Sequence, residues 1–235
     1  MMRPNSAPII HTVHTDRRRL NLNRIPIRQD AVNSLPVLPK QLKLSVDLDC
    51  ILEATRVPPC VDRKEWLALC LMDHLEDLRS LCLFMVDICQ CSRLRAGRSE
   101  FNWPSQHGYE QMSAPMYLQN LICWCETVLA DERFFPTTRG SSFTFDFDHI
   151  VKTMYRRMSR VYCHLYIDHF RYLKHYRIET SANTCLVYFY LIGEEFSLQA
   201  DPEMIPLTSL VQELLTNINC LTLLPINPNL DQHLT

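Results

Sequence analysis

Residues 147–176 read FDHIVKTMYRRMSRVYCHLYIDHFRYLKHY. Ile150, Met154, Met158, Val161, Tyr162, Leu165 and Tyr166 recur at steps of three and four, so they share one face of a helix. Neither proline nor glycine interrupts the run. The stretch predicts the longest helix of the chain, from Phe147 to Tyr176. Two polar groups ride on it that an apolar face does not need: Arg156, Arg157 and Arg160, and then His164 and His169.

Working outward, the same period recurs on both sides. Val57-Pro58-Pro59-Cys60-Val61 is expected to be extended, because residues before proline avoid the helical region. Asp62 then caps a helix, with Glu65 three residues on as the carboxylate half of a capping box. Its apolar positions are Trp66, Leu69, Cys70, Leu75, Leu78, Leu81, Leu83, Phe84 and Val86, and it ends in the arginine-rich run 92–100. Residues 100–112 read as a loop or short hairpin around Phe101, Trp103, Pro104, Gly108 and Tyr109. Ser113-Ala114-Pro115 starts a further helix, with serine capping and proline in the first turn. Leu118, Leu121, Ile122, Trp124, Cys125 and Val128 follow. Two more helices are predicted over 183–196 and from Ile205 to about Ile218. No repeat and no strand–helix alternation appears, so the fold class is all-α, a helical bundle with one short β-hairpin. Residues 1–48, broken by Pro4, Pro8, Pro26, Pro36 and Pro39, form an extension. Residues 49–222 form the helical domain and 223–235 a tail.

Composition narrows the function. Only 4 of 235 residues are glycine, and neither GxGxxG nor GxxxxGK[ST] occurs, which removes the commonest nucleotide-binding enzymes. A net charge of −2 gives no general drive toward nucleic acid. The N-terminal arm is basic: Arg3, Arg17, Arg18, Arg19, Arg24 and Arg28 stand against Asp16 and Asp30. It fits a solvated tail, and it fits an arm that touches an acidic partner or a lipid surface. No secretory signal and no membrane span are expected. Eleven cysteines, with Cys70, Cys82, Cys123 and Cys185 inside apolar patterns, suit thiols buried as small hydrophobes. That points to a reducing compartment, the cytoplasm with the nucleus as a second location.

Two constellations carry chemistry. His164 and His169 lie about 140° apart around an ideal helix, so they converge only if their side chains swing together. With Cys89 and Cys91 they make a donor set suited to a closed tetrahedral zinc site. The same four residues also fit ordinary thiols and core histidines, and C-x-C is not the usual zinc spacing. Arg156 and Arg160 share a face at i, i+4, with Arg157 beside them. Three guanidiniums so close favour an anion between them, and phosphate suits their forked donors. A solvated basic face is the other reading.

The ordered sum of motifs resembles the Mob (Mob/phocein) kinase coactivators. The motifs are Glu65-Trp66, Cys91 with Ala96-Gly97, Trp103, Ser113-Ala114-Pro115, Asp131-Glu132, Phe135-Pro136-Thr137 and Gly140. They continue with Val151-Lys152-Thr153, Arg160-Val161-Tyr162, His164 to His169-Phe170 and Asn183-Thr184-Cys185, and together span about residues 56–218. The resemblance implies a four-helix core and a structural zinc held by two cysteines and two histidines. It also implies a non-enzymatic adaptor that binds the basic N-terminal regulatory region of NDR/LATS-type kinases. Some members bind phosphorylated Hippo-type upstream kinases through a basic pocket. Carried over by residue, His164, His169 and Cys91 match metal ligands, and Cys89 stands in for the family's first cysteine, whose position is Val86 here. C-x-C is expected to force both thiolates into one tight turn. Arg156, Arg157 and Arg160 match the phosphopeptide pocket. Asp62, Glu65 and Trp66 fall on the kinase-binding helix, where Val61 replaces a common acid. Trp66 also fits as a core aromatic and Glu65 as a capping residue. Two other functions stay in view. One is a zinc hydrolase with Asp168 or Glu126 as base. The other is a phocein-like scaffold in a phosphatase or trafficking assembly.

Overall fold

The computed structural model describes residues 43–138, 140–199 and 205–217. The basic arm up to residue 42 and the C-terminal tail lie outside the described residues. Among those described, six helices follow in order: α1 Leu48–Ala54, α2 Arg63–Ile88, α3 Ala114–Leu129, α4 Phe147–His175, α5 Glu179–Glu195 and α6 Ile205–Asn217. Two antiparallel hairpins sit between α2 and α3: β1 Arg95–Ala96 with β2 Ser99–Glu100, and β3 Trp103–Ser105 with β4 Gly108–Glu110. The chain is an all-α bundle, as the helical periods indicated.

Helix α4 is the axis of the bundle, packed by α2, α3, α5 and α6 and by strand β1. Val151, Met154, Tyr155, Met158, Val161, Tyr162, Leu165 and Tyr166 are fully buried on it. Tyr155 stacks on Phe189 of α5 at 4.2 Å between ring centres, with the planes 7° apart. Its hydroxyl donates to the Phe189 carbonyl at 3.2 Å and accepts from Gln199 Nε2 at 3.3 Å. This close approach needs a glycine opposite, because a Cβ on Gly193 would lie 2.0 Å from the Tyr155 hydroxyl oxygen. Asn183, fully buried on α5, accepts from the Tyr166 hydroxyl at 2.9 Å and donates to the Lys43 carbonyl at 3.0 Å.

Local signals set the helix starts. Asp62 accepts from the amides of Lys64 and Glu65 at 2.8 and 3.2 Å, and Ser113 from Met116 at 3.3 Å. Five details differ from expectation. Helix α1 was not expected: at 7 residues it is too short to stand alone, and it is held from outside, by Ser45 bonding Thr184 and by Lys43 bonding Asn183. Helix α5 begins at Glu179 rather than Asn183, directly after a turn in which Arg177 adopts φ 57°. Two hairpins form rather than one, because the arginine-rich run 92–100 folds into a hairpin of its own, with Gly97 at φ 61° in its turn. Leu69 and Leu83, read as core positions, are 52% and 70% exposed. The thiol of Cys123 is likewise exposed, whereas Cys70 and Cys82 are buried.

Two stability predictions follow from the core. Gly193→Ala is expected to cost about 1–3 kcal/mol by overpacking against Tyr155, read as a lowered urea midpoint. His74 of α2 is fully buried against the rings of Tyr188 and Phe189, and neither ring nitrogen has a partner among the described residues. Burial pushes its pKa down to about 3. The unfolded chain takes up a proton below the ordinary value of about 6.5 that the folded chain refuses, so this residue's contribution is intact above that pH and lost toward pH 3. His74→Phe is expected to flatten the loss of stability between pH 7 and pH 4, measured by urea unfolding across that range.

Candidate metal centre and binding surfaces

The end of α2 and the middle of α4 meet at a cluster of four donors. Cys89 is the C-cap of α2, with φ −85° and ψ 108°. Because that backbone is extended rather than tightly turned, alternation turns the side chains of Cys89 and Cys91 to the same side. Opposite them, His164 and His169 swing together until their Nε2 atoms are 3.2 Å apart. Cys89 Sγ lies 3.5 Å from His164 Nε2, and Cys91 Sγ lies 3.5 Å from His169 Nε2. All four ligand atoms fall within 4.8 Å of one another. A tetrahedral zinc ion needs about 3.6 Å between sulfur and nitrogen ligands and about 3.3 Å between two nitrogens, given its bond lengths. The quartet therefore fits one ion with all four positions taken by protein.

The surroundings suit that role. His164 Nδ1 donates to the Arg95 carbonyl at 2.7 Å, which leaves its Nε2 with the lone pair. Asp168 sits 3.2 Å from the same Nδ1 and 3.4 Å from the Arg95 guanidinium. Burial opposes ionisation of Asp168, but the proximity of His164 and of the Arg95 guanidinium outweighs it and holds the carboxyl below the usual range. Burial first, and His164 next, push His169 down to about 4, so its imidazole is neutral at neutral pH. Burial pushes the Cys89 thiol up to about 11, so loading an ion would release its proton. Asp168 thus lies against His164 and the Arg95 guanidinium, and Glu126 is ion-paired with Arg79. Neither is placed as the free base that hydrolysis at an open metal requires. Sequence reading missed the part of Arg95, whose carbonyl orients His164, since it depends on the hairpin folding back onto α4.

The three arginines lie upstream on α4, each half-buried. Arg160 Nη1 donates to the Tyr117 hydroxyl at 3.1 Å and the Asn102 carbonyl at 3.4 Å, and its guanidinium lies 5.3 Å from the Phe101 ring centre. Arg157 stands 4.6 Å from the ring centre of Trp103 and 4.0 Å from that of Trp124. The structure thus gathers two of the trio around aromatic residues that periodicity had assigned to the core or to a loop.

On α2, Glu65 is exposed beside Asp62, and Trp66 is partly buried against the core. Along the outer face Leu69 and Met72 are about half exposed, Leu83 is 70% exposed, and Glu76 lies between them. The positions 65, 69, 72, 76 and 83 fall on one stripe at steps of four, three, four and seven, an apolar seam with acidic groups in it. Spacing alone could not separate this seam from the core face, because both are apolar.

A family model described as the Mob1/phocein family matches residues 44–207. MOB kinase activator-like 1B of Arabidopsis thaliana is 34% identical over 170 residues, 69% of this chain and 79% of its own length. MOB kinase activator-like 2A of the same plant is 33% identical over 183 residues, 75% and 85% of the two chains. The maintenance of ploidy protein mob1 of Schizosaccharomyces pombe is 31% identical over 171 residues, 70% and 81% of the two chains. With the family model spanning most of the helical bundle and similarity running through the segments that build the metal cluster and the arginine trio, the chain belongs to the Mob1/phocein family.

Proposed function

We propose that this chain is a non-catalytic kinase coactivator whose α2 face takes the basic N-terminal regulatory segment of an NDR/LATS-type kinase. The observation that carries the reading is the exposed seam of Leu69, Met72 and Leu83 interleaved with Glu65 and Glu76. A basic amphipathic helix matches that seam in both apolar spacing and charge. The relatives' names, MOB kinase activator-like, support the general role. The arginine trio on α4 is a second surface, for a phosphorylated segment of a Hippo-type upstream kinase. No helix among the described residues is long and apolar enough to cross a membrane. A kinase coactivator of this kind is assigned by this reading to the cytoplasm, with the nucleus as a second location. Val61, 36% exposed beside Asp62, favours a second reading, in which the seam serves a phocein-like scaffold instead.

The experiment is titration calorimetry with the basic N-terminal segments of an NDR-type and a LATS-type kinase. Submicromolar binding to one of them is expected, weakened several-fold by Glu65→Ala through lost charge complementarity. A folded chain that binds neither segment would shift the assignment to the scaffold.

Zinc is the ion this reading assigns to Cys89, Cys91, His164 and His169, as a structural clamp between the end of α2 and α4. When bound it supplies cross-linking energy to the fold, not an open Lewis acid. Elemental analysis of the purified chain is expected to find about one zinc per molecule, the stoichiometry of a single four-ligand site. Chelation at neutral pH should lower Tm, and Cys89→Ser should reduce the zinc content. Full zinc content in Cys89→Ser would remove Cys89 from the ligand set.

A further inference from the structure

Arg157 and Arg160 are one turn apart on α4, yet their donors are used differently. Arg160 commits Nη1 to Tyr117 and Asn102. Arg157 makes no hydrogen bond and no ion pair among the described residues; what it touches is aromatic. The ring centres of Trp103 and Trp124 are 6.4 Å apart, with planes at 82°. With 4.6 and 4.0 Å from the guanidinium carbon to the two centres, the rings meet that carbon at about a right angle. They form a corner rather than a sandwich. Trp103 is itself braced edge-on against Tyr117, 5.2 Å away, and Tyr117 is fully buried.

A corner of rings fixes a guanidinium through its faces and spends none of its N–H groups. An arginine restrained by hydrogen bonds would surrender donors in the process. The charge is also poorly compensated. Burial lowers the Arg157 pKa, Arg160 and Arg156 add repulsion, and only Tyr117 and Cys125 oppose them. A preordered planar fork with free donors, beside two further cations, is complementary to a phosphate dianion.

We propose that Trp103 and Trp124 are positioning residues for phosphate recognition: their aromatic corner presents Arg157 with its donor edge free to a phosphothreonine or phosphoserine side chain. The proposal rests on reading the arginine trio as a phosphopeptide pocket. It adds that affinity depends on two tryptophans that need not touch the ligand, and that lysine cannot replace Arg157.

The test is fluorescence anisotropy with a degenerate phosphothreonine peptide pool and its unphosphorylated counterpart, on the full chain. The proteins are wild type, Arg157→Ala, Arg157→Lys, Trp103→Leu, Trp124→Leu and Trp124→Phe, each checked by circular dichroism. Wild type is expected to prefer the phosphorylated pool. Arg157→Ala and Arg157→Lys should both lose that preference. Trp124→Leu should weaken phosphopeptide binding roughly three- to thirty-fold, the range of a cation–π contact, with Trp124→Phe recovering part of it. Two of the chain's 3 tryptophans form the corner, so wild-type emission should change on titration and the Arg157→Ala emission should not. If folded leucine variants bind like wild type while Arg157→Ala fails, the corner is overturned and the phosphate pocket stands. If the leucine variants do not fold, an Arg157→Lys protein binding like wild type overturns the corner instead. If wild type does not discriminate between the pools, the pocket reading falls and takes the corner's role with it.

Discussion

Burial of the middle of α4 on nearly every side, by α2, α3, α5, α6 and strand β1, is the constraint from which the other features follow. A helix enclosed in this way cannot turn its polar side chains to water, so those on its inner surface gain by finding partners within the protein, and among the described residues most do, the Tyr162 hydroxyl being an exception. His164 finds the Arg95 carbonyl and Cys89, and His169 finds Cys91. Tyr155 and Tyr166 find groups on α5 and beyond. Gly193 is glycine because Tyr155 comes too close for a Cβ.

The two polar constellations on α4 are both bordered by one segment of chain. Residues 89–105 supply both cysteines, the Arg95 carbonyl, Phe101, the Asn102 carbonyl and Trp103. A short run with the first hairpin and the opening strand of the second thus faces the histidines at one end and the arginines at the other. Arg160 and His164 are four residues apart on a rigid helix, about 6 Å along its axis. The segment has few helical hydrogen bonds of its own, so its order depends on these anchor points.

The helices were legible because apolar period, caps and prolines agree locally: Asp62, Ser113 and the run from Ile150 to Tyr166 each mark their element without outside help. The residues of the metal cluster and the arginine trio were also visible as types of chemistry. What could not be read was which apolar residues face out. Leu69 and Leu83 have the same hydropathy as the buried Leu71 and Leu78, and only the position of α2 against α3, α4 and α5 separates them. Helix α1 escaped for a related reason, since its 7 residues are kept in place by packing on α5 and by the bonds of Ser45 and Lys43, just before it, to α5 rather than by their own propensity.

By itself, then, the sequence determined an all-helical domain, the order and approximate limits of its long helices, and a stock of thiols, imidazoles and guanidiniums at particular helical positions. These are properties of near neighbours along the chain, where periodicity and capping act. Tertiary structure alone decided that Cys89 and Cys91 meet histidines some 75 residues away, that Arg157 stands in a corner of two tryptophans, and that a leucine seam of α2 faces solvent. Those outcomes depend on how the helices and hairpins pack, and side-chain convergence across distant segments leaves no periodic trace in the residues that take part.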